Sequence, residues 1–448
     1  MAGPSAAKLG AVRTLIESAP DQALRSLANA LSAATAGPMS LVRDLVDGER
    51  REREFRADVF APVLPLFLPA ADAIEGPRFA PSALRRLWSE LKAREALLID
   101  TAAEARLDWD REREPEIVPF NALTQAAAAL VRAEPALILG DGGASAAESL
   151  ASYLDLAPLA RQLLRRLPEW LGKATDERII ALKVLFKDAT AISVDATPRL
   201  LEIVVAHLPE PWLVLRLISV LTDRASDRYL AASELAVFGQ RLLAAVDKRV
   251  ERVRAFDAQT GKAGAMVVAG DVIAACACMA EFEQTIELSR DGPWGAKVIA
   301  ARKSLAANVE SRLRDVESTV AQALPLQNVR ISGRMTRPAP KIATGPDAKL
   351  VERARGLLVL LEQSRTGAAA GGYGALRKQV TEKVAERLNV YADEVLHLLN
   401  AGEAPDEERA QAYVEIAAEF LSYTEGPAAA QIVRRRAAVA GERSQDVA

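Results

Sequence analysis

The side chains best suited to chemistry are few. The chain of 448 residues holds two histidines and two cysteines. Histidine is the usual general base and the commonest metal ligand. His207 closes an apolar helical segment just before Leu208-Pro209, where an imidazole can bond the last carbonyls. His397 lies between Leu396 and Leu398. Both read as structural. Cys276 and Cys278 form Cys-x-Cys, and on a helix two such residues point about 200° apart. They cannot easily share a metal, no second Cys/His cluster completes a zinc site, and they read as small buried side chains.

Carboxylates gather at Asp393-Glu394 and at Asp406-Glu407-Glu408. The second group opens a helix, where negative charge complements the macrodipole. Glu394-Val395-Leu396-His397 matches the Glu-x-x-His of di-metal carboxylate bundles, which require a second copy and further Glu residues. Val204 stands three positions before His207, so the second copy is missing. The glycine-rich stretch Gly140 to Ser145 could cradle an anion before a helix. It lacks the Gly-Lys-Ser/Thr ending of a phosphate loop and reads as a turn at a domain boundary. No catalytic residue, metal ligand or cofactor is assigned, and the balance leans away from an enzyme.

The remaining candidates are cations. Arg330, Arg334, Arg337 and Lys341 are opposed only by Asp347 within 325–348, and Arg434, Arg435 and Arg436 form a short run near the end. These seven are the candidate electrostatic contacts to nucleic acid or an anionic membrane surface. No stacking aromatic is interleaved among them, so base recognition is poorly supported. The net charge is −3, which argues against a protein-wide nucleic-acid field.

The elements that must position these groups read as helices throughout. Half of the residues are apolar and only 5% aromatic. Apolar residues recur at helical spacing, and no alternating run is long enough for a sheet. Helices are expected over 8–35, 39–58, 81–107, 119–134, 157–171, 176–188, 197–208, 211–223, 229–258, 295–324, 348–364, 375–399 and 406–423. The charges of Asp47 to Arg56 read as a solvated helix face. Residues 60–69 carry Pro62, Pro65 and Pro69 among large apolar side chains, and read as an irregular core segment. Ala263 to Phe282 is the nearest approach to a membrane span, but Asp271 interrupts it and it reads as a buried helix.

The expected fold is all-α. A multi-helix array, with stacked helical pairs in a solenoid-like arrangement, precedes a smaller C-terminal helical module. Leu167-Pro168-Glu169-Trp170 is echoed about 41 residues later by Leu208-Pro209-Glu210-Pro211-Trp212, a weak repeat signal. The expected divisions are an N-terminal region 1–145, a central array 146–324, a basic Pro/Gly linker 325–348, a C-terminal module 349–440 and a tail 441–448. Gly367 to Gly374 reads as a flexible joint. Leu305, Val309, Leu313, Val316, Val320 and Leu324 form one apolar stripe, suited to the core or to a homo-oligomer seam. The start of the chain shows no secretory pattern, so a bacterial cytoplasmic location is expected. The leading functional expectation is a non-catalytic scaffold or adaptor with protein partners. The alternatives are a salt-sensitive binder of nucleic acid or membrane through the basic linker, and an all-α enzyme with a scattered Asp/Glu/Arg site.

Overall fold

The computed structural model describes residues 6–34, 36–69, 75–107, 109, 118–140, 143–172, 175–222, 224–332 and 335–445. The chain forms two compact units, Met1–Leu221 and Thr222–Ala448. Unit 1 holds α1 (Ala6–Ser18), α2 (Asp21–Leu31), α3 (Pro38–Val59), α4 (Pro81–Arg94), α5 (Ala96–Leu107), α6 (Val118–Ala133), α7 (Pro135–Leu139), α8 (Ala144–Asp155), α9 (Ala157–Leu171), α10 (Asp176–Ile192), α11 (Ala196–His207) and α12 (Val214–Leu221). Unit 2 holds α13 (Asp227–Ala231), α14 (Ala236–Ala255), α15 (Gly261–Thr285), α16 (Gly295–Ala323), α17 (Ala348–Gln363), α18 (Ala368–Gly371), α19 (Gly374–Asn400), α20 (Glu407–Thr424) and α21 (Pro427–Gln445). Its one hairpin pairs β1 (Leu326–Ser332) with β2 (Met335–Pro340). The protein is an all-α, multi-helix protein.

Local sequence explains most helix ends. Pro38, Pro81 and Pro135 begin α3, α4 and α7, where the missing N–H is no loss. Asp347 accepts from the amides of Lys349 and Leu350 at 2.8 and 3.2 Å, and Asp406 accepts from Arg409 N at 3.0 Å. Such N-caps contribute about 1 kcal/mol each. In α6 the buried Phe120, Leu123, Ala127 and Val131 follow the helical period and face the core.

Arginine ties the helices to one another. Six helix C-termini receive a guanidinium from a distant part of their own unit. Arg53 donates to the carbonyls of Ile16, Glu17 and Ala19 at the end of α1. Arg161, buried over the Phe120 ring, donates to Asp58 O and Val59 O at the end of α3. Arg86, Arg216, Arg312 and Arg377 do the same for Ile138 of α7, Leu171 of α9, Arg254 of α14 and Leu361 of α17, at 2.7–2.8 Å. A helix C-terminus carries unsatisfied carbonyls and partial negative charge, and the five-donor fork of Arg matches both.

Several expectations change in the structure. The charged face of α3 is not simply solvated. Phe55 and Asp58 are buried, Arg53 reaches α1, and Glu52 receives bonds from Trp88 and Lys92 of α4. The predicted linker 325–348 contains the hairpin, with Leu326 opposite Pro340 and Asn328 opposite Pro338. Both strands are edges, so the prolines are tolerated where a central strand would reject them. Residues after the hairpin are also held: Ile342 is buried, and Ala343 and Thr344 carbonyls accept from Arg409 and Tyr413.

The expected divisions at 145 and 325–348 are therefore not where the chain separates into compact units. Helix α17 packs with α15 and α16 in unit 2, α19 packs with α16, and α20 packs with α17 and α19. The two Leu-Pro-Glu echoes also diverge. Pro168 sits inside α9, whereas Leu208 to Leu213 form a break and a 3-10 turn. The apolar stripe from Leu305 to Leu324 is wholly buried in unit 2 and is a core seam of this chain, not a free dimer face.

Helix α15 is long and apolar enough by composition to cross a membrane, and half of its most apolar window is buried in unit 2. Its Asp271 is buried and takes a two-pronged bond from Arg252, with Arg249 at 3.8 Å. The pairing offsets the cost of burying that charge. The expected joint at Gly367 to Gly374 is a packed corner. A Cβ on Gly371 would sit 2.4 Å from Tyr373 Cε1 and 3.0 Å from Cys276 Sγ. Tyr373 is buried there and donates to Ser364 O at 2.8 Å.

Candidate functional site

Those of the predicted cations that are described lie on or just beyond the hairpin and on α21, and Arg337 and Arg436 meet the adjacent carboxylates Glu394 and Asp393 of α19. Val329 pairs with Arg337, so these share one face of the hairpin, and Arg330 lies on the other. Arg337 also stands 3.7 Å from Glu394. Lys341 is exposed beyond the strand, where its amide donates to Pro325 O. Arg334 lies outside the described residues. Arg434 is engaged by both oxygens of Glu415, and Arg436 bonds Asp393 at 2.7 Å. Arg435 is exposed beside them. Three of the seven cations thus meet carboxylates of their own chain, which cancels their charge as seen by a distant polyanion.

His207 and the two cysteines are buried or half-buried, and His397 is exposed. His207 Nε2 lies 2.8 Å from Pro62 O. A carbonyl only accepts, so that nitrogen carries the proton. Burial pushes the His207 pKa below its usual 6.5, opposed by bonds to the Pro62 and Ala61 carbonyls. His397 is exposed on α19 while Glu394 faces Arg337. Cys276 and Cys278 are buried, and burial pushes their thiols up to about 11 and about 12. Among the described residues no three His, Cys, Asp or Glu side chains are grouped to hold a metal ion.

A cavity of about 590 Å³ lies between α3 and α5, lined by Arg51, Glu52, Phe55, Asp58, Arg106 and Trp109 among others. Its charges are largely neutralised from within. Arg106 bonds Asp58 at 2.7 Å and lies over the Phe55 ring. Burial alone would raise the Glu52 carboxyl, and bonds from Lys92 and Trp88 hold it below its ordinary value.

The surface feature that stands apart is α10. Thr175 caps it, accepting from Arg178 N, and Asp176 and Glu177 fill its first turn. Leu182, Leu185, Phe186 and Ala189 are buried on one arc, where α10 packs on α9, α11 and α12. At about 100° per residue, Ile180, Val184 and Ala191 fall on the opposite arc, while Ile192 lies on the flank beside Leu185. That arc is bare: Ile180 is 61% exposed and Val184 51%; Ile192 on the flank is 49% exposed and Val194 just beyond the helix 93%. Lys187 and Asp188 are exposed along the same arc. The helix expected over 176–188 stops short of Ile192 and Val194. The available signal was that α10 is apolar on both arcs, whereas a helix with one covered face needs only one.

Comparison of the chain with protein-family models, with curated proteins and with solved structures finds no match.

Proposed function

We propose that the protein is a non-catalytic helical scaffold or adaptor that works in the cytoplasm. It binds a protein partner whose amphipathic helix lies along the outer face of α10. The observation that carries this reading is the bare apolar pair Ile180 and Val184, one turn apart on a helix whose other arc is buried. Apolar side chains aligned along one helix face with charges alongside are what a helix-in-groove partner reads. Lys187 and Asp188 provide one charge of each sign to set the partner's register.

A photo-crosslinking side chain placed at Val184 of the full chain, inside cells, tests the reading. A specific protein adduct is expected at Val184 and not at Lys378, which is 79% exposed on a polar surface. The partner so identified is then purified and its affinity measured. Each half-exposed Ile or Val contributes about 1 kcal/mol when covered, so Ile180→Glu with Val184→Glu weakens binding about 30-fold or more. The circular dichroism spectrum should be unchanged. Equal labelling at Lys378, or full affinity in the double variant, rejects the reading.

A further inference from the structure

Unit 2 contains a second, smaller cavity whose charges are not paired with one another. It has a volume of about 240 Å³ and lies where the end of α14 and the following turn meet α16 and α17. Phe256 and Leu357, both buried, give it an apolar floor. Asp257, Arg312, Asp315 and Arg353 also line it. Arg312, Asp315 and Arg353 are half-buried, and Asp257 is exposed. The walls are set by close packing. A Cβ on Gly356 of α17 would lie 2.6 Å from Ala258 O of the turn, so α17 approaches closer there than another residue allows.

Many of the protein's arginines meet carboxylates or helix C-termini, Arg312 among them. Here Arg312 is positioned by one bond, Nη2 to Arg254 O at 2.8 Å, and Asp257 accepts from Gln259 N at 2.9 Å. Among the described residues, the side chains of Asp315 and Arg353 have neither hydrogen bond nor ion pair. Two guanidinium groups and two carboxylates thus line one small cavity, and none of the four side chains bonds another. A bound carboxylate can take the open donors of Arg312 and Arg353. An ammonium can donate to Asp257 and Asp315.

We propose that this cavity binds a small zwitterion of the α-amino-acid class. Arg312 and Arg353 take its carboxylate, Asp257 and Asp315 take its ammonium, and its side chain rests on Phe256 and Leu357. The volume agrees, being below the roughly 300–1,000 Å³ of sites for drug-sized ligands. This site is separate from the α10 face and its occupancy is tested independently of any protein partner.

Calorimetric titration of the full-length protein with L-leucine is the test, with N-acetyl-leucine, leucinamide and inorganic phosphate as comparators. Saturable binding of leucine is expected, lost when either end of the zwitterion is blocked. Arg353→Gln and Asp315→Asn each weaken binding about tenfold or more, because each removes a charge-assisted bond. Neither variant breaks a bond to the protein, so each retains the wild-type melting temperature without ligand. The proposal is overturned if leucine and the other common free amino acids fail to bind at millimolar concentration. It is equally overturned if the blocked derivatives or phosphate bind as well as the zwitterion, or if both variants retain full affinity.

Discussion

Replacing Gly239 by Ala sets two effects of opposite sign against each other. Gly239 lies inside α14, where glycine is a poor helix former. Judged locally, Ala gains about 0.8–1 kcal/mol. In the structure a Cβ at this position meets Trp294, at 2.3 Å from Cζ2, 2.5 Å from Cε2 and 2.7 Å from Cη2. Comfortable carbon contacts lie near 3.5–4.0 Å, so the indole or the helix must move by about 1 Å. Trp294 is buried, and its ring is held edge-on by Phe282 at 5.8 Å between centroids. A buried, braced ring yields poorly, so the overpacking cost belongs at the upper end of about 1–3 kcal/mol. The net expectation is a loss of about 1–2 kcal/mol. Urea denaturation followed by circular dichroism should show a lower midpoint with an unchanged slope. Shrinking the ring in the Gly239→Ala/Trp294→Phe pair should recover part of the loss, a coupling visible in a double-mutant cycle. If Gly239→Ala is as stable as the wild type, the packing argument fails and helix propensity governs the site.

His207 makes stability depend on pH. Its folded pKa lies below 6.5, so above that value the ring is neutral in both states and the stabilisation is complete. As pH falls through 6.5 the unfolded chain takes up the proton first, and stability declines until the folded ring also titrates. The difference in urea midpoint between wild type and His207→Gln should therefore shrink from about pH 8 to about pH 5; a constant difference contradicts the assignment. Tyr391 is buried and its hydroxyl has no hydrogen-bond partner. Tyr391→Phe removes an unsatisfied group and should stabilise the protein by about 1 kcal/mol, read as a higher melting temperature. A clear drop would mean that the hydroxyl is satisfied in solution. Cys276 and Cys278 should resist a thiol reagent in the native protein near neutral pH, with both reacting after denaturation. A fast-reacting native thiol would contradict their burial and raised pKa values.

Much of the helical layout is legible along the chain because it is set by local rules. The segment 157–171 coincides with α9, and 348–364 and 375–399 fall within a residue of α17 and α19. Caps such as Asp347 and Asp406 sit a few residues from the amides they bond, so their effect is written locally. The hairpin was not legible, because Pro338 and Pro340 mark a strand as improbable until both edges are known to be free. The bare arc of α10 was only half legible. Its two apolar arcs are in the sequence, but which one α9, α11 and α12 cover is a property of packing.

The sequence by itself determined that this chain is helical, where most of its helices lie, and that it holds only two histidines and two cysteines. Tertiary structure decided the partners of its charges. Arg53, Arg161, Arg216 and Arg377 reach helix ends far along the chain, and Asp315 and Arg353 reach none. The physical reason is one of range. Helix periodicity and capping act over a few residues, whereas a guanidinium chooses among carbonyls and carboxylates brought near it by the packing of remote helices.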